Sequence, residues 1–522
     1  MPAVPKYSAE FLRVKGLAER GVANAQHSLG YMYGKGQGVS QDYTLAVSWY
    51  AKAAEAGLEH AQYNLGVMYQ KGQGLVQDFR QAARCYHLAA QQGYAAAQYN
   101  LGWLYAKGQG VPKSVERARY WFNRAAEQGN AGAQNNLAMM YESGKGVSQD
   151  FGQAVFWYRK AAEQGYARAQ FNLALHYDNG QGVARDAQQA LAWLRKAASQ
   201  GYAPAQFNLA LRYDKGQDLT PDPARAVKWY RRAAEQGHAS SQFNLALLYD
   251  GGSGLEPDDT LALNWYRQAA EQGHAGAQDQ LGLRYAHGHG VPQDAALAES
   301  WYRKAALQGF ASAQYHLAQQ LGGGDGVAQN PLEASSWFLK AAEQGHLRAQ
   351  FDLGLRYQGG VGVARDPQQA LAWFRRAAEQ GYAAAQCTLG EMLDDQDRPW
   401  FDGAEATIWF ARAAEQNQAR AQFALGVRHD SGLGVARDAG AAHRWYLSAA
   451  RQGHARAQFN VGLMHATGQG AARDLLQAYG WLSMAERGGV GAATRYRLRI
   501  REKMDPQQLA ALTLLDDITA AQ

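Results

Sequence analysis

The sequence predicts an all-α solenoid of 13 tandem 36-residue helix-turn-helix repeats with helical caps at both ends. Three observations predict it. The dipeptide Ala-Gln recurs so regularly that its glutamine falls at Gln26, Gln62, Gln98 and onward to Gln458, always 36 residues apart. Apolar residues inside each period repeat at helical, not strand, spacing. Glycine is abundant at 58 residues while proline is scarce at 12, which suits many short helices with glycine stops. A fixed period of this length is the signature of a repeat array.

The N-terminal segment, residues 1–24, holds SAEFLRVKGLAER at 8–20, where a second helix would precede the first unit. It is read as a capping helix. Residues 25–492 are the thirteen units. The unit from Ala205 shows their logic. Its first helix, A, carries Ala205, Leu209 and Tyr213 four residues apart on one face. Its second, B, carries Ala226, Trp229, Tyr230, Ala233 and Ala234. Helix B is expected to start at Asp222, whose carboxylate can cap free backbone N–H groups. That site is Asp in eleven units, then Ser114 and Asn330, all favoured caps. Pro223, Pro331 and Pro367 follow directly, where a missing N–H costs nothing. Helix B is expected to stop at Gly237, in the left-handed conformation. The equivalent site is Gly in 13 of 14 instances, the exception being Asn417.

Two core rows follow from a small–large alternation. Alanine fills one helix-B site in every unit, from Ala46 and Ala82 onward. Tryptophan fills the next in twelve units, from Trp49 to Trp481, with Cys85 in the thirteenth. Burial of these tryptophans is expected, and truncating one would then cost ~3–5 kcal/mol.

The pattern A-Q-x-x-L-[GA]-x-x-Y, then G-x-G-V-x-x-D, then A-x-x-W-Y-x-x-A-A-x-x-G resembles the Sel-one-like repeat, a relative of the tetratricopeptide repeat. The resemblance covers residues 25–492. It implies a right-handed superhelix that holds protein partners, as adaptors of this kind do. Residues 493–522 are read as C-terminal capping helices. Residues 493–503 take the helix-A register with Thr494 at the glutamine site, and a last helix starts at Asp505-Pro506. The tail MDPQQLAALTLL resembles the closing segment of bacterial members. Arg495, Arg497, Arg499 and Arg501 are expected to give this end a polar outer face.

The candidate binding face is the side of helix A opposite its core residues. One row there reads Tyr63, Tyr99, Phe171, Phe207, Phe243, Tyr315, Phe351 and Phe423, interrupted by residues such as Asn135, Asp279 and Cys387. The row through Leu211 includes Trp103, Met139, Leu175, Leu247, Leu283 and Leu355. Two readings stand: packing between adjacent A helices, or an apolar groove for an extended or helical peptide. A third row carries Arg212, Arg284, Arg356 and Arg428, one every 72 residues. Either pairs of repeats duplicated together, or these arginines clasp acidic groups of a partner. Near copies at 182–201 and 362–381 establish duplication. The loop DDQDRPWFDG (394–403) has lost the usual glycines and gained Trp400 and Phe401. These rings either fold back to fill a gap or form an exposed partner-binding spot.

Net charge is +6 with no basic run, so an acidic partner is permitted and nucleic acid is not expected. Two cysteines, Cys85 and Cys387, exclude a disulfide framework. No secretory h-region or apolar run long enough to span a bilayer is evident, so the cytoplasm is the default compartment. Nucleotide-binding, serine-hydrolase and zinc-protease motifs are missing. The His287/His289 pair lacks an acidic or cysteine partner for a metal. No cofactor, metal or catalytic residue is expected. A cysteine-rich branch of the resembled family is associated with β-lactamase activity, but its paired cysteines are not present here. The expectation is a non-enzymatic protein-binding scaffold. The alternative is a dedicated inhibitor or immunity-type binder of one protein.

Overall fold

A computed structural model describes residues 8–251 and 255–512, and among these residues every regular element is a helix. Two compact units are present, Met1–Ala269 and Ala270–Gln522. Inside each, a helix packs against the helices before and after it in the chain, as a stack of helix pairs requires.

The repeat can be followed from its stops and starts. Helix A of one unit runs Ala203–Lys215 and helix B runs Pro223–Glu235. Asp222 accepts a hydrogen bond from the Arg225 N–H, as the sequence predicts. Ser114 and Asn330 cap their helices in the same way. Gly237 has φ 85°, and Asn417, its one replacement, has φ 65°. Asn is the residue that tolerates this conformation best after glycine.

The period-marking glutamine is a buried clamp. Gln206 Nε2 donates to the Ala198 carbonyl at the end of the preceding helix B, 3.1 Å away. Its Oε1 accepts from Gln236 of its own unit at 2.8 Å. One side chain thus adds a second donor to a helix-end carbonyl that already accepts from the Gly201 N–H, and ties successive units together. The same pair of bonds recurs at Gln98, Gln134, Gln170, Gln314 and Gln350.

The core row differs from the tryptophan expectation. Only Trp121, Trp337, Trp373 and Trp409 are buried; the other eight are half-buried. Several carry a cation over the exposed ring face, as Lys304 does over Trp301 at 3.8 Å and Lys196 over Trp193 at 4.0 Å. The deepest ring is the next residue: Tyr86, Tyr158, Tyr230, Tyr266 and Phe374 are wholly buried. It sits against the small residue that follows the helix-A leucine, so a Cβ added to Gly66 would stand 2.8 Å from the Tyr86 ring. The alanine row is as expected, with Ala46, Ala82, Ala154 and Ala226 fully buried.

At the N-terminal end, helix Ala9–Glu19 is capped by Ser8 and buries Phe11, Val14 and Ala18. At the other end, helix Gly491–Glu502 takes the helix-A place. A further helix begins at residue 506, with Asp505 accepting from the Gln508 N–H. Arg495, Arg499 and Arg501 are exposed. Arg497 is not part of that outer face: it pairs with Glu486 at 2.7 Å and donates to the Tyr479 hydroxyl. The tail beyond residue 512 lies outside the described residues.

Candidate functional site: the helix-A face

Phe207 and Leu211 lie one turn apart on helix A, and both are half-buried. One side of the Phe207 ring meets the buried Tyr230 of helix B, with centroids 5.9 Å apart. An edge meets His238, which opens the next helix A, at 5.1 Å. The arrangement repeats. Tyr63 lies between Tyr86 and Tyr94, Phe351 between Phe374 and Tyr382, and Phe423 between Tyr446 and His454. Phe171 packs on Tyr202, Tyr99 on Phe122 and Phe243 on Tyr266. The packing reading therefore describes one side of each ring. These seven aromatics pack on rings of helix B or of the residue that precedes the next helix A, while keeping part of their surface in solvent. Tyr315 departs from them. It is buried at 5% exposure, stacked on His346 at 4.6 Å, so its ring is not available to a partner.

The residue after the helix-B stop was not legible as a functional position in the sequence. Tyr94, Tyr202, His238, His346, Tyr382 and His454 all stand there, directly after a glycine. That recurrence of rings was the available signal. The histidines also cap helix A: the Ala349 N–H donates to His346 Nδ1 and the Ala457 N–H to His454 Nδ1, each at 3.2 Å. Burial holds His238, His346 and His454 below the ordinary imidazole pKa.

Three interruptions of the aromatic row, His27, Asn135 and Asp279, are polar links between units, whereas Cys387 meets Glu391 of its own helix. Asp279 is buried and meets His316 Nδ1 at 2.8 Å. Asn135 accepts from Asn172, and His27 meets Asn64. Each partner lies 37 residues on, at the next unit's adjoining position. Buried polar groups need such partners.

The Leu211 row is half-buried or exposed along its length. It is apolar in eleven units, replaced only by Gln319 and Glu391, and buried in none. Tyr31, Leu247 and Leu355 are exposed by 45%, 41% and 42%. Trp103 in this row is half-buried, with Lys107 over its ring.

The arginine row is corrected by the structure. Arg212, Arg284 and Arg428 are buried, at 4–5% exposure. Arg212 pairs with Asp178 and Asp218, and Arg428 with Asp394. Arg284 donates to the His289 carbonyl. These three guanidinium groups are spent inside the protein, so they do not line a trough open to acidic groups. Arg356 is half-buried.

The 394–403 loop separates its two rings. Trp400 is half-buried against the core, its Nε1 donating to the Met392 carbonyl at 3.2 Å. Phe401 is 44% exposed. One ring fills a gap and the other points outward. Helix Ala383–Leu393 is two residues shorter than its relatives, and Asp394 supplies the partner of Arg428. The loop also borders an open pocket of about 750 Å³, lined by Glu391, Asp395, Arg420, Phe423, Val427 and His454 among others. Arg420 spans to Glu391 at 2.5 Å.

Burial, with Glu391 beside it, pushes the Cys387 thiol up to about 12, and burial pushes Cys85 up to about 11. Neither thiol is an activated nucleophile. His287 and His289 stand with ring centroids 5.7 Å apart. Among the described residues no group of three or more His, Cys, Asp or Glu side chains could hold a metal. No helix among them is long and apolar enough to cross a membrane.

Stacked helix pairs with a solvent-facing apolar row define an α-solenoid repeat protein. The family follows from the match of the Sel1 repeat profile to thirteen consecutive segments, 23–58 through 455–490. The chain belongs to the Sel1 repeat family. It is similar to a protective antigen of uropathogenic Escherichia coli strains with an SLR fold: 36% identity over 83% of this chain and 93% of that one, TM-score 0.70. A Sel1 repeat protein from Oxalobacter formigenes is also 36% identical, over 47% of this chain and 96% of its own, TM-score 0.43. An immunity protein from Pseudomonas aeruginosa shares 22% identity, over 41% and 81%, TM-score 0.30. None of the curated proteins matches the chain.

Proposed function

We propose that this protein is a non-catalytic scaffold that binds a protein partner through a peptide segment laid along its helix-A face. The observation that carries the reading is the Leu211 row. An apolar side chain recurs there in eleven of thirteen units without being buried in any. Packing within the chain accounts for only part of this row: Val67, Trp103, Met139, Leu283 and Val427 rest partly on the core, while Tyr31, Leu247 and Leu355 are exposed, and a bound segment would cover what is left in water. The half-buried aromatic row beside it adds ring edges in a rigid frame, an arrangement suited to binding hot spots. Substituting Leu175, Leu211 and Leu247 together with Lys tests this. Partner recovery from a lysate is expected to fall while helical content and melting temperature stay unchanged. Undiminished recovery by the folded variant overturns the reading.

A second reading is a dedicated binder of one partner, of inhibitor or immunity type. It is favoured by departures from the repeat that line the open pocket beside Phe423, namely Glu391 and the loop residues Asp394 and Asp395, with the exposed Phe401 in the same loop. Changing Phe401 and Arg420 to Ala separates the two. A single-site binder loses its partner, while a partner spread along the face is retained.

A further inference from the structure

The repeat supplies its own comparison for every side chain, and one position breaks its rule. Arg428 Nη1 donates to the Gly403 carbonyl, the Thr407 hydroxyl and the Leu433 carbonyl, at 3.1, 2.8 and 3.3 Å. Its guanidinium lies over the Phe410 ring. Its Nη2 goes to the Asp394 carboxylate. Two units earlier, Arg356 repeats nearly all of this. Nη1 meets the Pro331 carbonyl, the Ser335 hydroxyl and the Val361 carbonyl at 3.4, 3.2 and 3.4 Å. The Phe338 ring lies beneath it at 4.7 Å. Each of these partners stands 72 residues before its counterpart.

The carboxylate is what differs. Counting back 34 residues from Arg212, Arg284, Arg356 and Arg428 gives Asp178, Asp250, Gly322 and Asp394. Gly322 has no side chain to offer, and Nη2 of Arg356 lies so near that a Cβ there would displace it. Arg356 makes no ion pair among the described residues. Asp352, one turn away, contributes a favourable charge, but it receives a hydrogen bond from the Tyr315 hydroxyl. Burial already disfavours the charged form of Arg356. Gly322 is half-buried and the residue after it is exposed, so the place of the missing carboxylate opens to solvent. The adjacent Leu355 is one of the most exposed members of the apolar row.

We propose that the protein is completed in trans at this point: an aspartate or glutamate side chain of the bound peptide pairs with the Arg356 guanidinium, whose Nη2 lies against Gly322. Asp394 on Arg428 is the internal template for that contact, and a charge-assisted bond from an anchored guanidinium gives orientation as well as affinity. Three arginines of the row are closed by the chain's own structure; the fourth sets the register of a partner on the helix-A face. The inference rests on the proposed helix-A function and adds to it the chemistry recognised at one unit.

The test uses the full chain and two synthetic peptides, one alternating Glu and Leu, the other Gln and Leu. Calorimetry compares the wild type with Arg356→Met, Gly322→Asp and Gly322→Asn. The wild type is expected to prefer the Glu peptide by at least about tenfold. That preference disappears in Arg356→Met. It also disappears in Gly322→Asp, which keeps the arginine but occupies it internally, so the result does not hinge on Arg356→Met folding well. Gly322→Asn, similar in size and uncharged, crowds Nη2 but leaves the charge of Arg356 unpaired, so it lowers the preference less than Gly322→Asp does. Equal binding of both peptides by the wild type overturns the inference and leaves the helix-A reading standing. A preference that survives Gly322→Asp also overturns it, because the acid then sits elsewhere. Binding of neither peptide counts against both.

Discussion

The second glycine of the inter-helix loop, present in eleven of the thirteen units, is the most direct probe of how one unit fixes its neighbour. Gly182 and Gly165 share nearly the same left-handed backbone, with φ of 71° and 87°. Their surroundings differ. A Cβ on Gly165 would meet nothing within 4 Å, whereas one on Gly182 would clash with the Phe151 carbonyl, at the start of the preceding unit's helix B. Gly165→Ala therefore carries only left-handed strain, ~1–2 kcal/mol, partly offset by a stiffer unfolded chain. Gly182→Ala carries the same strain plus the cost of moving a packed helix, a further ~1–3 kcal/mol. Asp218 occupies the equivalent site at φ 56° in the next unit, but there its carboxylate gains Arg212. The assay is hydrogen exchange by mass spectrometry, since an array opens locally and has no single melting free energy. Gly182→Ala is expected to speed exchange in helix Phe151–Glu163 well beyond Gly165→Ala. Equal exchange in the two variants would refute contact between units as the reason for the glycine.

Three further outcomes are expected. Gln206→Leu removes two hydrogen bonds, leaving the Ala198 carbonyl with the Gly201 N–H and Gln236 without its Gln206 acceptor; it should destabilise its unit by ~1–3 kcal/mol, read by hydrogen exchange in that unit. Folded-state pKa values of His238, His346 and His454 are depressed from the ordinary 6.5. The stability they contribute is therefore fully present above 6.5 and is lost as pH falls through and below it. A melting curve series should show that loss, and the triple change to Asn, which caps without titrating, should flatten it. Trp400→Ala should lower the melting temperature while Phe401→Ala leaves it unchanged, because only the first ring is packed against the core.

Features set by local chemistry were readable from sequence. Asp222 and its counterparts cap helix B because the requirement is backbone geometry, and Gly237 or Asn417 stops it for the same reason. The glutamine was visible as a period, though not as the clamp on Ala198. What failed depended on which neighbour takes a side chain. Trp301 and Tyr302 are adjacent large rings, and no periodicity distinguishes which goes under Gly282; the structure buries Tyr302 and leaves Trp301 beneath Lys304. The arginines read as a binding row because their partners Asp178 and Asp394 lie a unit away, and the pairing is seen only when one counts back across the repeat boundary. The same counting exposes Gly322 as the odd position.

The most direct measurement on helix-A binding places a photo-crosslinking residue at Leu247 or Leu355 on helix A, and at Tyr120 or Ile408 on helix B. All four side chains are exposed to similar degrees, between 41% and 52%, so accessibility does not bias the comparison. Binding along the helix-A face requires the partner to be captured from Leu247 and Leu355 and not from Tyr120 or Ile408. Capture from the helix-B positions alone would contradict it.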